Sequence, residues 1–226
     1  MTKAPRALRA DGEATYNRIL EAAGELIAAS GFAATSSKAI AARAEVDLAS
    51  INYHFRSRGG LYEAVLIEAH RRFINIEALQ RIVATNDTAR DKLRRIIEGL
   101  VTGATNHQDW HAKVLSREIL SPSPHLRALE RNEILPKLEI VFTILSEITA
   151  IPLGDLALRR CLISVGAPCA MLMVAGQSMP VIAEDVLRGP RDVLADHLYS
   201  FAIGGLEAVG RDYAKQQAKV RRRTRK

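Results

Sequence analysis

The chain has 226 residues, 48% of them hydrophobic and 25% charged, enough apolar material to pack one large or two small domains and too much for a disordered chain. The formal net charge of +7 is local: residues 211–226 hold eight Lys or Arg and one acid, whereas residues 1–210 carry 24 of each sign. Bulk charge is therefore no argument for a nucleic-acid partner, and the run Arg221, Arg222, Arg223, Arg225, Lys226 reads as a disordered, solvated tail or as a source of non-specific phosphate attraction.

In chain order, Lys3, Arg6 and Arg9 are followed by Asp11, Gly12 and Glu13 instead of an apolar run, which argues against a secretory leader and for the cytoplasm. Ile19, Ala22, Ala23, Leu26 and Ile27 recur at helical spacing, which predicts a first helix over 15–30 with Gly31 just past its end. Thr35 or Ser36 caps a second helix over 37–44, a turn occupies 45–48, and a third helix runs over 49–55. Its Ile51 and Phe55 share one side, leaving Ala49, Ser50, Asn52, Tyr53 and His54 largely outward. Two short helices joined by a four-residue turn have the proportions of a helix-turn-helix, which lays its second helix in the major groove. Small side chains followed by hydrogen-bonders suit close approach to base edges and phosphates.

A fourth helix is predicted from about Ser57 to Val83, followed by helices over about 88–105, 109–120, 124–149, 154–177 and 190–218, with Pro136 and Pro168 kinking or dividing theirs. The fold class is all-α: an N-terminal three-helix helix-turn-helix domain (13–73) joined to a helical ligand-binding and dimerisation domain (74–212), then a basic tail (213–226). The longest apolar stretch, Ala167 to Val174, is interrupted by Pro168 and falls short of the about 20 residues needed to span a bilayer, so no membrane partner is expected. Cys161 and Cys169, eight apart, form neither a disulfide framework nor a CxxC motif and read as buried, reduced thiols.

The run TSSKAIAARAEVDLASINYHFRSRGGLYEAVL resembles the N-terminal signature of the TetR/AcrR family of bacterial regulators over about residues 13–73. The resemblance implies that the helix over 49–55 is a recognition helix for double-stranded operator DNA. By position it assigns phosphate clamping to Tyr53, His54 and Arg58, phosphate or base-edge contact to Ser36, Ser37 and Lys38, and base readout to Ser37, Ala49, Ser50 and Asn52. Three departures stand out. Glu45 occupies a turn position where the family usually has Gly, Asn52 replaces a frequent Tyr, and Gly59 and Gly60 are poor helix formers in a first turn. Further on, Val114 to Leu145 resembles the C-terminal domain of the CecR branch, which implies an effector-binding, dimerising domain.

In the second half, the stripe that includes Leu194, Leu198, Phe201, Gly205 and Leu206 fits a homodimer interface, or else its own core. Candidates for a small-molecule effector pocket are Trp110, His111, Arg117, Glu118, Met171, Met173 and Gln177; Arg117 and Glu118 would equally serve as a surface pair, and the methionines as core filler. His107, Asp109 and His111 imitate a metal pattern without a nearby third ligand, and Ser116, Glu118 and His125 do not compose a triad, so neither metal, cofactor nor catalysis is expected. The functional expectation is a DNA-binding regulator, most simply a repressor relieved by a small molecule; a helical small-molecule binder or enzyme without specific DNA binding is the alternative.

Overall fold

The computed structural model describes residues 5–106, 109–178 and 185–223, with side chains described over 11–106, 109–175 and 185–223. All regular structure among these residues is helical: α1 (Pro5–Ser30), α2 (Ser37–Ala44), α3 (Leu48–Phe55), α4 (Arg58–Phe73), α5 (Ile76–Ala84), α6 (Ala89–Ala104), α7 (Trp110–Leu120), α8 (Leu126–Leu129), a π-helical turn (Glu130–Ile134), α9 (Leu135–Thr149), α10 (Leu156–Ser178) and α11 (Arg191–Arg223). The chain divides into two compact units, Met1–Arg72 with His107–Glu133, and Phe73–Asn106 with Ile134–Lys226.

In the first unit, α1 ends where Gly31, at φ 83°, closes a hydrogen bond from its N–H to the Ile27 carbonyl (2.8 Å). Ile19, Ala23 and Ile27 of α1, Ile40 of α2, Ile51 of α3 and Leu61, Val65 and Leu66 of α4 are buried. The unit extends beyond the N-terminal helices because α7 packs along α1. Trp110 is the anchor: it lies so close to Gly24 that a Cβ there would stand 2.4 Å from the indole ring, and its Nε1–H donates to Glu21 (2.8 Å). The span over 107–133, expected in the second domain, thus groups with the first.

The second unit is centred on Leu93, Ile97, Val101, Ile144, Leu145, Ile151, Leu158, Cys161, Val165, Cys169 and Leu206. Both cysteines are free and buried in it, as expected. The long fourth helix anticipated to about Val83 is broken after Phe73. Asn75 caps a new helix by accepting from the Ala78 N–H (2.8 Å), and the Phe73 ring fits over Gly103, where a Cβ would come within 2.8 Å of it. The helix expected over 124–149 runs without a gap from Leu126 to Thr149, and the π turn lies just before Pro136, whose ring and missing N–H interrupt the regular hydrogen-bond ladder. Helix α10, in contrast, continues through Pro168.

Within α10, Leu156–Ala175 has a mean hydropathy of 1.5 and is, by length and composition only, long and apolar enough to cross a membrane. This is a longer apolar stretch than the sequence suggested. It contains Arg159 and Arg160, and Leu158, Cys161, Val165 and Cys169 on one face are committed to the unit's own core. The last helix, expected to end near Ala218, continues as α11 as far as Arg223, into the basic run that was expected to be disordered.

Candidate nucleic-acid interface

The helix-turn-helix is held by its caps. Ser36 Oγ accepts from the Ala39 N–H (3.1 Å) to start α2, and Asp47 Oδ1 accepts from both the N–H (2.7 Å) and the Oγ–H (2.6 Å) of Ser50 to start α3. Those two bonds hold the Asp47 carboxyl below the ordinary aspartate range. Between the helices, Glu45 takes the left-handed conformation (φ 54°, ψ 48°), at a cost of about 1 kcal/mol for a residue with a Cβ. The turn therefore keeps its geometry without the glycine, helped by the Val46 N–H bonding to the Ala41 carbonyl (3.0 Å).

On α3, Ile51 and Phe55 are buried, and the Phe55 ring stacks on Tyr16 of α1 at 4.7 Å. That leaves Ala49, Asn52 and Tyr53 exposed, Tyr53 at 83%, while Ser50 and His54 are half-buried. His54 is boxed by edge contacts with Tyr53 (5.0 Å) and Tyr16 (6.1 Å). At the start of α2, Ser36 and Lys38 are exposed and Ser37 is half-buried. The structure thus presents the predicted residues at the first turn of α2 and along the outer side of α3. Ser50 is partly committed, since its hydroxyl proton serves the cap.

Arg58, the expected phosphate clamp, is exposed and also makes contacts within its own unit. Its guanidinium lies 4.3 Å over the Phe32 ring and donates to the carbonyls of Thr35 (2.9 Å), Ala33 (3.2 Å) and Phe32. All of these bonds come from Nη2, which ties the α1–α2 corner to α4, while the residue is exposed and its Nε–H and Nη1–H groups stay available to a phosphate. Sequence reasoning also missed what Gly59 and Gly60 do. A Cβ on Gly60 would stand 2.3 Å from the Phe55 carbonyl oxygen, and one on Gly59 2.9 Å from His125 Cε1. Two glycines in the first turn of a helix were the available sign of this close approach.

Behind the helix-turn-helix, Phe32 stacks on Tyr62 (4.2 Å between ring centres), and the Tyr62 hydroxyl donates to buried Glu118 (2.8 Å). Glu118 also accepts from the N–H (2.7 Å) and Oγ–H (2.8 Å) of Ser123, and His125 Nδ1 lies 3.0 Å from Glu63 Oε1. Burial, then the Glu118 carboxylate, push the Tyr62 phenol well above its ordinary value.

The effector candidates are divided between the units. Trp110, His111, Arg117 and Glu118 belong to the first, where Arg117 donates to the Ala29 carbonyl (3.2 Å) and His111 Nε2 lies 2.8 Å from Arg72. Burial and the Arg72 charge lower the His111 pKa. Burial would raise the Glu21 carboxyl, but bonds from Arg72 and Trp110 outweigh it and hold it low. Met171 and Met173 are on α10 of the second unit, exposed and buried respectively, and the Gln177 side chain lies outside the described residues, as does His107.

The stripe on α11 also divides. Leu206 is buried, and Leu194 and Leu198 pack against the second unit's own core, contrary to their expected place at an interface; the apolar arc is too wide for one face. Phe201 (79% exposed), Val193, Gly205 and Val209 face outward, as does Ile163 of α10. Between α10 and α11 runs a groove of about 470 Å³ lined by Arg160, Cys161, Ser164, Phe201, Val209 and Tyr213 among others.

A capped helix-turn-helix with an outward recognition face, in a chain whose other unit is helical throughout its described elements, defines a two-domain helix-turn-helix protein. Residues 19–65 match the family described as bacterial regulatory proteins, tetR family, and residues 89–206 match the C-terminal domain of the HTH-type transcriptional dual regulator CecR. The chain belongs to the TetR family of regulators and has a CecR-type C-terminal domain.

It is 27% identical over 134 residues, 59% of this chain, to YttP of Bacillus subtilis (strain 168), described as a probable HTH-type transcriptional regulator; the match spans 63% of that relative's length. A TetR-like regulator from Rhodococcus sp. RHA1 has a similar fold (TM-score 0.62, 23% identity, 90% of this chain and 98% of that one). So does the regulator FadR from Bacillus subtilis, solved with stearoyl-CoA (TM-score 0.67, 22% identity, 84% and 98%). FadR from Bacillus halodurans, a fatty acid degradation regulator, is comparable (TM-score 0.67, 18% identity, 91% and 98%).

Proposed function

We propose that the chain is a sequence-specific, dimeric transcription regulator, acting as a repressor whose operator binding is relieved by a small-molecule effector. The observation that carries this reading is the outer side of α3: Ala49, Asn52 and Tyr53 project from a helix fixed at both ends by its caps and pinned by Ile51 and Phe55. Asn52 has the amide that pairs with adenine edges in the major groove, Ala49 leaves room for approach, and Tyr53 with His54 reaches phosphate. Ser36, Ser37 and Lys38 at the start of α2 contact the neighbouring backbone. Arg58 fixes the corner from which α2 departs through Nη2 and offers Nε and Nη1 to phosphate.

One helix-turn-helix covers one half-site, so specific binding calls for a two-fold dimer. Phe201, Val193 and Val209 on α11 and Ile163 on α10 supply the exposed apolar surface, and Gly166, Gly204 and Gly205 have nothing within 4 Å of their would-be Cβ positions, which favours close approach of a second copy. For the effector, the stearoyl-CoA complex of the FadR relative supports a ligand with a long apolar part, with Met171 and Met173 in the second unit as lining candidates. Such a ligand relieves repression only by binding the DNA-incompetent state more tightly.

The test is selection of genomic fragments by the full-length protein, repeated with fatty acyl-CoA thioesters. Enrichment of a palindromic site that such a thioester abolishes is the expected result; no enrichment overturns the reading.

A further inference from the structure

The distal part of α11 has no core to pack on. Leu206 and Gly210 are its last buried residues, Tyr213 donates to Asp155 (2.7 Å), and every described residue from Ala214 to Arg223 is exposed. The helix persists there for local reasons: Ala, Lys, Gln and Arg are strong helix formers, and Arg221, Arg222 and Arg223 sit where the helix dipole favours cations.

The resulting surface is strongly one-signed. Lys215, Lys219, Arg221, Arg222 and Arg223 fall within about 12 Å of helix at 1.5 Å per residue, with no acid among residues 213–223. Lys215, Lys219 and Arg222 share one side at spacings of four and three, although Lys215 is drawn back by Asp212 (3.1 Å). A cation every few ångströms is comparable to the phosphates of one DNA strand, about one per 3.4 Å of axis. Residues 1–210 are electrically balanced, so the positive field of the chain originates here. An anionic membrane surface is the poorer match, because Val220 is the one large aliphatic residue between Tyr213 and Arg223 and no apolar face opposes the cations.

We propose that this basic end of α11, centred on Lys219, Arg222 and Arg223, is a sequence-independent binding site for the phosphodiester backbone of duplex DNA, separate from base readout by α3. It rests on the reading of the chain as a DNA-binding regulator for its biological occasion, and on the charge pattern for its chemistry. Contacts of this kind raise affinity for every sequence equally and steepen its salt dependence.

The experiment compares the full-length protein with K219Q/R222Q/R223Q, which keeps helix propensity, and with K219R/R222K/R223K, which keeps charge. Binding to a mixed-sequence duplex is measured by fluorescence anisotropy across salt concentrations, with helicity checked by circular dichroism. The glutamine variant is expected to flatten the slope of log K against log salt by about 2.7 per engaged helix, some 40-fold in affinity over a fourfold salt range, with the charge-retaining variant unchanged. An unchanged slope overturns the proposal, as does a glutamine variant that loses binding to phosphatidylserine vesicles while keeping the duplex. Failure of the regulator reading looks different: the unaltered protein would enrich no genomic fragment, and the slope comparison would still decide the role of the basic helix end.

Discussion

The hydroxyl of Tyr62 on α4 donates to Glu118 of α7 at 2.8 Å, joining residues 56 positions apart inside the unit that carries the helix-turn-helix. Glu118 is 3% exposed and its other oxygen is taken by Ser123, so the carboxylate depends on these donors for its burial. Tyr62→Phe is therefore expected to cost about 1.5–3 kcal/mol, the range for a hydrogen bond to a charged group. Chemical denaturation measures it; a change within about 0.5 kcal/mol, the scale of an ordinary surface substitution, would remove Glu118 from the set of groups that hold the unit together.

Two glycine substitutions should go in opposite directions. Gly60→Ala drives a Cβ into the Phe55 carbonyl and is expected to destabilise by about 1–3 kcal/mol. Gly99→Ala, in α6 with nothing within 4 Å, should stabilise by about 0.5–1 kcal/mol through helix propensity. Equal effects in thermal melts would refute the close approach at Gly60.

The α3 cap should respond to acid with a definite sign. Because the Asp47 carboxyl is held low by Ser50, its contribution is present above the unfolded pKa of about 3.9 and is lost as pH falls through the lower folded value. The Ser50 amide resonance is expected to titrate with a midpoint below that of an unperturbed aspartate, and Asp47→Asn should abolish the titration while keeping the cap. A midpoint at or above the ordinary value contradicts the hydrogen-bond geometry.

On α11, Phe201 and Leu206 should separate association from folding. Phe201→Glu changes an exposed side chain and is expected to give a folded monomer in sedimentation equilibrium. Leu206→Glu buries a charge in the second unit and should unfold it. A dimeric Phe201→Glu protein would exclude this face as the dimer interface.

How far the sequence could be read depended on whether a residue's partner was near in the chain. The bounds of α2 are as anticipated because Ser36 caps a residue three positions on, and α3 begins one residue earlier than anticipated because Asp47, read as part of the turn, is its cap. Glu45 was marked as a departure from the family's usual Gly, and the left-handed conformation it takes keeps the turn. The break after Phe73 had a local sign, the Asn75 cap three residues before Ala78, whereas the grouping of 107–133 with the first unit was missed because it depends on Trp110 meeting Gly24, a partner distant in sequence. Arg58 was assigned outward by position and is exposed, but its contacts with the Phe32 ring and three carbonyls, all distant in sequence, could not be read there. On α11, periodicity gave the apolar residues without saying which of Leu198 and Phe201 faces the core; only packing decides that.

The central claim is that the outer side of α3 reads DNA. It is tested most directly by the affinity of full-length protein, Asn52→Ala and Tyr53→Ala for the fragment the unaltered protein selects, with a mixed-sequence duplex as reference. Asn52→Ala should lose about 1–3 kcal/mol on the selected site and little on the reference. Tyr53→Ala should weaken both, and both variants should keep native helicity. Unchanged affinity of both variants for the selected site would contradict the assignment of α3 as the recognition helix.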